Sequence, residues 1–261
     1  MITYLYDGTF EGLLTVIATA LKEGVAVNAI TAQGDWQPDL FTEIRQLATD
    51  PAVAEEFFQQ LQTRFSQRLV LDLGYCFLAE EVGIEKVLLD FIRLVFSHGE
   101  SISRNVTNPT VMRIRRISDK VGYEIIRMQG FVRFRQLRNG FYYAAIEPDY
   151  NIVQFLAPHF TSRFADQQWL IHDVKRNTGI SYNRRRCLFI PRVEINQEIV
   201  AASQPHLSGA AQGYFTPEEF RYQELWKQYF RETAIAERSN PKLQRKNLPV
   251  RYWRYLVEVI R

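Results

Sequence analysis

The first hundred residues combine short apolar runs with longer stretches in which apolar residues recur at helical spacing. Residues 2–6 form a β-rich run that breaks at Asp7-Gly8, and a helical pattern then continues to Gly24. Residues 25–31 form a second apolar run, which predicts a strand parallel to the first in a β-α-β unit. One further helix is predicted to begin at Asp50-Pro51, and another is predicted to end near His98-Gly99. The pattern therefore indicates a small α/β and helical part.

The pattern changes beyond residue 108, where strands become more frequent. A helix begins at Asn108-Pro109, and residues 132–135 then alternate apolar and basic side chains, as in a strand with one buried face. Arg138-Asn139-Gly140 predicts a hairpin turn, with residues 141–147 as the returning strand. A further strand is predicted over residues 169–174. These elements favour a mainly antiparallel sheet.

Two helical patterns accompany this sheet. Apolar residues at every fourth position from Ile152 to Phe164 predict a helix that Pro158 kinks. Thr216-Pro217 begins another helix, whose aromatic stripe is assigned to the core: Tyr222, Leu225, Trp226, Tyr229 and Phe230. The predicted fold class is α+β, with an N-terminal α/β-helical part at residues 1–128 and an antiparallel sheet plus C-terminal helices at residues 129–261. The two parts can also form one continuous domain.

Charge is distributed unevenly along the chain. Residues 1–100 carry 6 Lys and Arg against 15 Asp and Glu, whereas residues 101–261 carry 26 against 14, so the net charges are −9 and +12. Such asymmetry is typical of proteins that contact nucleic acid or a membrane surface, although two solvated surfaces that attract each other are the alternative. Charges interrupt every apolar run well short of the ~20 residues of a membrane span. We expect a cytoplasmic protein without a membrane partner.

The two cysteines, Cys76 and Cys187, lie far apart and suit neither a zinc site nor an iron–sulfur cluster. The turn Asp7-Gly8-Thr9 lacks the glycine pattern of a phosphate-binding loop. We therefore expect no metal and no cofactor in this chain.

Four segments carry a resemblance to a known family: residues 130–135, 142–148, 156–164 and 169–176. Residues 4–12 and the blocks at residues 225–226, 240–245 and 248–253 extend it to both ends. The chain resembles an uncharacterised bacterial family described as DNA metabolism proteins. The resemblance implies a role beside a radical S-adenosylmethionine protein assigned to DNA modification or repair, and a related domain is fused behind uracil-DNA glycosylase-like domains. Any iron–sulfur cluster and S-adenosylmethionine are then expected on the partner.

Basic and aromatic residues of the second half are the candidates for contact with DNA, single-stranded or damaged duplex. Guanidinium groups bind phosphates, and aromatic rings stack on unpaired bases. The candidates are Arg113, Arg116, Arg133, Arg135, Tyr143, Arg163, Lys175, Arg176, Arg184, Arg185, Arg186, Lys242, Arg245, Lys246 and Arg251. Solvated surfaces, and aromatic packing against arginine stems, are the alternatives. A run without acidic residues from Arg238 to Arg254 is the second basic patch after the predicted sheet.

Candidate catalytic residues are His159 and Asp173. His159 shares a helix face with Arg163, and Asp173 lies on the opposite side of its strand from His172. A His tuned by a carboxylate can act as a general acid or base, whereas a lone His on an apolar helix is more often structural.

Three functions follow as expectations. The first is binding or processing of DNA in repair or base modification, together with the radical S-adenosylmethionine partner. The alternatives are a hydrolase or glycosylase acting on damaged nucleic acid, and a protein–protein adaptor without nucleic-acid contact.

Overall fold

The computed structural model describes residues 2–35, 43–204, 213–234 and 239–258. The chain divides into two compact units, Met1–Gly122 and Tyr123–Arg261. Each unit has its own sheet. The division predicted at residues 1–128 and 129–261 stays a prediction.

The first unit contains a parallel sheet and a set of helices. Its elements are β1 (Ile2–Tyr6), α1 (Phe10–Glu23), β2 (Val27–Ala32), β3 (Glu43–Gln46), α2 (Pro51–Arg64), α3 (Gln67–Leu78), α4 (Ile84–His98) and the first part of α5 (Pro109–Phe131). Strand β1 pairs in parallel with β2 and with β3, in the order β2-β1-β3. The predicted parallel pairing of the first two strands is confirmed, while β3 and α3 were not predicted.

Local sequence signals explain where α1 and α2 begin and end. The Thr9 hydroxyl accepts a hydrogen bond from the Gly12 amide at 3.0 Å, and Asp50 caps α2 through the amides of Ala52 and Val53. Gly24 ends α1 at a φ of 64°, a left-handed conformation that glycine adopts without a Cβ clash. The buried apolar faces of these helices form the core of the first unit.

The second unit contains a mixed sheet with helices. Its elements are the last part of α5, β4 (Arg135–Gln136), β5 (Tyr142–Ile146), α6 (Ala157–Arg163), β6 (Trp169–Asp173), β7 (Thr178–Tyr182), β8 (Cys187–Ile190), α7 (Gln197–Ala202), α8 (Pro217–Glu232) and α9 (Pro241–Asn247). The strand order is β4-β5-β6-β7-β8. The β5–β6 pair is parallel and the other pairs are antiparallel. The α+β prediction with a mainly antiparallel second sheet is therefore confirmed.

Two predicted element boundaries were wrong. Helix α5 continues to Phe131, and β4 begins only at Arg135, the last residue of the strand predicted at residues 132–135. Pro158 lies in the first turn of α6, where its missing N–H needs no partner, and it does not kink a longer helix. The hairpin is confirmed, because β4 and β5 are antiparallel and Gly140 has a φ of 81°.

Alternation along the strands gives the second sheet two distinct faces. Tyr142, Trp169 and Tyr182 are register partners and lie on one face, which we call the cavity face. Tyr143 and Leu170 lie on the other face, which we call the α7 face because they pack there with Val200 of α7. The predicted site residues are divided between these faces.

Side chains of the C-terminal segment connect it to the strand and helix ends. The Tyr255 hydroxyl donates to Glu147 at 2.6 Å, and Arg254 pairs with the same carboxylate at 2.7 Å. Tyr252 donates to the buried Glu124, which also accepts from the Asp149 amide at 2.8 Å. These bonds fix residues 250–257 beside the sheet.

Candidate nucleic-acid interface

A cavity of about 950 Å³ lies in the second unit between α6, α8 and the β4–β5 end of the sheet. Aromatic side chains supply most of its apolar lining: Phe134, Tyr142, Phe160, Phe164, Trp169, Tyr222 and Trp226. Four predicted site residues also line it: Arg133, Arg135, His159 and Arg163. Segments that are distant in sequence thus meet around one cavity.

The inner aromatic residues form a continuous packed cluster. The centroid of the Phe134 ring lies 5.4 Å from that of Phe160 and 5.2 Å from that of Phe164, both edge-on. The Trp169 ring lies 5.8 Å from Phe134 and 5.4 Å from Tyr182. Edge-on contacts of this kind stabilise aromatic clusters beyond their buried area, so this wall is rigid and apolar.

Helix α8 forms the opposite wall, and its aromatic stripe is exposed. Tyr222 is 67% and Tyr229 is 59% exposed, and Leu225, Trp226 and Phe230 are exposed as well. The Trp226 and Tyr229 rings stack at 5.6 Å with 24° between their planes. The assignment of this stripe to the core was wrong. Tyr222 and Trp226 instead face the cavity, and the stripe continues outward along the helix.

The basic residues of the cavity differ in how far their charges are neutralised. Arg133 pairs with Glu258 at 2.5 Å, and its guanidinium also lies 5.8 Å from the Trp226 ring centroid. Arg163 is exposed, lies over the Phe164 ring at 5.8 Å, and has no ion pair within the described residues. His159 meets the Phe160 ring edge-on at 4.8 Å. Arg163 is therefore the cavity guanidinium that is best placed to meet an anion.

Arg135 does not project toward a ligand as predicted, because only 4% of it is exposed. Its Nη1 donates to the Ala202 carbonyl at 3.0 Å, and its guanidinium lies over the Phe215 ring on the α7 face. Burial lowers the pKa of Arg135 to about 10, and the nearby Glu219 charge opposes this shift. The backbone alternation predicted Arg133 and Arg135 on one strand face, but β4 begins only at Arg135, so Arg133 precedes the strand.

Tyr143 is also unavailable for stacking on a base, because it is completely buried on the α7 face. Its hydroxyl lies 2.9 Å from Nδ1 of His172, whose Nε2 lies 3.1 Å from Oδ1 of Asn177. Since Oδ1 only accepts, Nε2 carries the proton and Nδ1 accepts from Tyr143. Burial lowers the pKa of His172 and keeps this ring neutral. The arrangement is a satisfied internal network.

The structure does not bring the two candidate catalytic residues together. His159 lies near Trp169 at the start of β6, whereas Asp173 ends that strand. The buried Asp173 accepts from the Lys175 amide at 3.1 Å and pairs with Arg176 at 3.0 Å. Burial raises the pKa of Asp173, and Arg176 opposes that shift. Asp173 thus organises the turn into β7, and Arg176 is held there too, with a further bond to the Asp149 carbonyl at 2.9 Å.

The other basic candidates lie outside the cavity. Arg251 pairs with Asp149 at 2.7 Å, and Lys175 is exposed with its Nζ 3.4 Å from the Asp149 carbonyl. The remaining candidates are exposed on the β7–β8 hairpin (Arg184, Arg185 and Arg186), on α9 (Lys242, Arg245 and Lys246) and on α5 in the first unit (Arg113 and Arg116). Arg238 lies outside the described residues.

Two further observations concern the described residues alone. The described residues contain no cluster of three or more His, Cys, Asp or Glu side chains that could hold a metal ion. Among their helices, none has both the length and the apolar character needed to cross a membrane.

Sequence comparison supplies a family and no activity. A family described as a domain of unknown function (DUF4130) matches residues 82–258, which include the whole cavity. No curated protein matches the chain. Because the match spans more than half of the sequence, the chain belongs to the DUF4130 family of unknown function.

Proposed function

We propose that this protein binds unpaired nucleotides of DNA, and that it serves a DNA repair or base-modification pathway. The observation that carries the proposal is the cavity of the second unit, in which aromatic walls stand beside Arg163, whose exposed guanidinium has no ion pair among the described residues. Aromatic faces stack on every base, and guanidinium groups bind phosphate oxygens. A single strand presents its base faces and its phosphates, whereas an intact duplex hides its base faces.

The dimensions of the cavity suit such a ligand. Small-molecule sites enclose roughly 300–1,000 Å³, and the cavity volume of about 950 Å³ lies near the upper end of that range. Stacking on an aromatic side chain contributes about 1–3 kcal/mol per base. The exposed rings of Trp226 and Tyr229 offer further stacking surface where α8 leaves the cavity.

Exposed basic residues elsewhere in the second unit would add sequence-independent contacts to phosphates. Arg184, Arg185 and Arg186 lie at an exposed hairpin tip, and α9 carries Lys242, Arg245 and Lys246. Each phosphate neutralised releases counterions, so affinity would fall with salt.

The resemblance to DNA metabolism proteins adds a partner to this proposal. A radical S-adenosylmethionine protein would hold the iron–sulfur cluster and perform the difficult chemistry. This chain would capture and present the nucleotide.

Binding across a salt series tests the proposal. Fluorescence anisotropy would compare one labelled sequence as a single strand and as a duplex, each with and without a damaged base. We expect tighter binding of the single strand, with log affinity falling linearly with log salt. Absence of salt-sensitive binding to every DNA would overturn the proposal.

The exposed stripe of α8 also favours a second candidate, a protein–protein adaptor. Contiguous exposed apolar surface commonly marks a protein interface. An adaptor would capture a protein partner from nuclease-treated extract through this stripe and would bind no oligonucleotide. Loss of that capture in a Tyr229→Ala variant would support it.

A further inference from the structure

Two buried polar groups of opposite hydrogen-bonding type line the cavity. Glu219 is 8% exposed, and its carboxylate can only accept hydrogen bonds when it is ionised. Trp169 is completely buried, and its Nε1 donor has no hydrogen-bond partner within the described ranges. Buried polar atoms without partners are rare in folded proteins, and a bound ligand is one reason for them.

Glu219 keeps part of its accepting capacity for a ligand. Its Oε2 accepts from the Gln136 amide at 2.9 Å, and its Oε1 accepts from Nε2 of Gln223 at 2.8 Å. Each carboxylate oxygen has two accepting positions, so one remains on each oxygen. No Lys, Arg or His of the described chain lies within ion-pair distance of Glu219, although the more distant charge of Arg135 acts on it.

Strand register places these two groups on either side of Tyr142. Tyr142 is the partner of Gln136 on β4 and of Trp169 on β6. Glu219 binds the amide of Gln136. Glu219 therefore lies on the β4 side of Tyr142, and the buried Trp169 lies on the β6 side.

The acidic and basic side chains also have separate positions. Glu219 is on α8, whereas His159 and Arg163 are one turn apart on α6. Asp166, which follows α6, lines the cavity too, and its Oδ2 accepts from Nε2 of Gln167 at 3.2 Å. A phosphate would be repelled by Glu219 and attracted by Arg163. This arrangement directs the phosphate of a nucleotide toward α6 and its base toward α8.

We propose that the cavity selects bases that carry an exocyclic amino group, with Glu219 accepting a hydrogen bond from that group. The inference rests on the proposed function and names its ligand class: cytosine, adenine or guanine in preference to thymine or uracil. Carboxylates read the amino group of cytosine in this way. The ring N–H of thymine or uracil lies between two carbonyl oxygens, which repel a carboxylate.

Paired oligonucleotides that differ at one base test the inference. Oligomers of deoxyuridine would carry a single central cytosine, uracil, guanine or hypoxanthine. Guanine and hypoxanthine differ by the amino group alone, whereas uracil has a carbonyl oxygen and an adjoining ring N–H where cytosine has an amino group and a ring nitrogen. We expect the wild type to bind cytosine over uracil and guanine over hypoxanthine by about 10-fold, the effect of one hydrogen bond to a charged group. The variant Glu219→Gln should lose most of this preference.

Glu224→Gln is the matched control, because Glu224 is on the same helix, is exposed and pairs with Lys227 outside the cavity lining. It should keep the wild-type preference. Equal binding of each pair by the wild type would overturn the inference, even if Glu219→Gln failed to fold. A preference that persists in folded Glu219→Gln would overturn it too. Failure to bind any oligonucleotide would remove the proposed function as well, whereas equal binding would leave that function intact.

Discussion

The two faces of the second sheet contain similar residue types, but their polar groups differ in whether they have hydrogen-bond or ion-pair partners. On the α7 face, the tyrosine, histidine and asparagine of the Tyr143–His172–Asn177 network satisfy one another in the interior. On the cavity face, Trp169 keeps an unpartnered donor within the described residues, and the neighbouring Arg163 keeps an unpaired charge there. Aromatic and basic composition is therefore common to both faces. The candidate site is distinguished by polar groups that lack hydrogen-bond or ion-pair partners among the described residues and lie beside the cavity.

The largest effect on binding is expected from Trp226→Ala. This change removes an exposed stacking surface of the cavity, and the loss of one stacked base should weaken binding of single-stranded DNA about 10- to 100-fold. Anisotropy titration would measure it. Phe189→Ala is the control, because Phe189 is an exposed aromatic of the same unit outside the cavity lining. Equal losses in both variants would contradict a specific role for the cavity.

The α7 face should respond in stability and not in binding. Tyr143→Phe leaves Nδ1 of the buried His172 without its donor, which should lower the free energy of unfolding by about 1–3 kcal/mol. Tyr142→Phe, the neighbouring change on the cavity face, should have a smaller effect on stability. Urea unfolding of both variants measures the difference. A larger loss of stability in Tyr142→Phe than in Tyr143→Phe would contradict this distinction between the two faces.

A smaller effect is expected from Arg163→Gln. If Arg163 contacts one phosphate, the slope of log affinity against log salt should become shallower by about 0.7 for a single strand. Arg251→Gln should leave the slope unchanged, since Arg251 is already paired with Asp149. Salt titrations of the two variants compare Arg163, which has no ion pair in the described part of the chain, with the paired Arg251. The comparison fails if both slopes change equally.

The smallest effect concerns pH. Burial lowers the pKa of His172 in the folded state, so the unfolded state binds more protons as the pH falls toward the ordinary His value of about 6.5. The stability contributed by neutral His172 is therefore present above that pH and is lost below it. His172→Gln should lose less stability than the wild type between pH 7.5 and pH 5.5, as measured by urea unfolding. An identical pH dependence in both proteins would show that His172 is not the titrating group.

Sequence patterns predicted the elements whose signals are local. The end of α1 at Gly24, the hairpin glycine at Gly140 and the strand beginning at Trp169 agree with the structure. The fold class followed from such signals. Strand β3 was not predicted, because it is a four-residue strand with mostly exposed polar side chains and depends on pairing with β1.

The candidate site was predicted only in part. Arg133, His159 and Arg163, which the sequence analysis selected for different roles, line one cavity in the structure. The burial of Arg135 was not predicted, because it depends on α7 and on Phe215, which are distant in sequence. The stripe of α8 has the spacing of a core helix, and spacing alone cannot distinguish a buried face from an exposed one. Nothing in the sequence distinguishes Glu219 from an ordinary glutamate in the first turn of a helix. Its proximity to the Gln136 amide appears only in three dimensions.

The most direct test of the central claim is to locate the bound strand. Ultraviolet crosslinking of single-stranded DNA to the wild-type protein, followed by mass spectrometry, identifies the residues that contact bases. We predict crosslinks at the cavity aromatics Phe164, Tyr222 and Trp226. Crosslinks confined to the hairpin at residues 184–186 or to α9, with none in the cavity, would contradict the account.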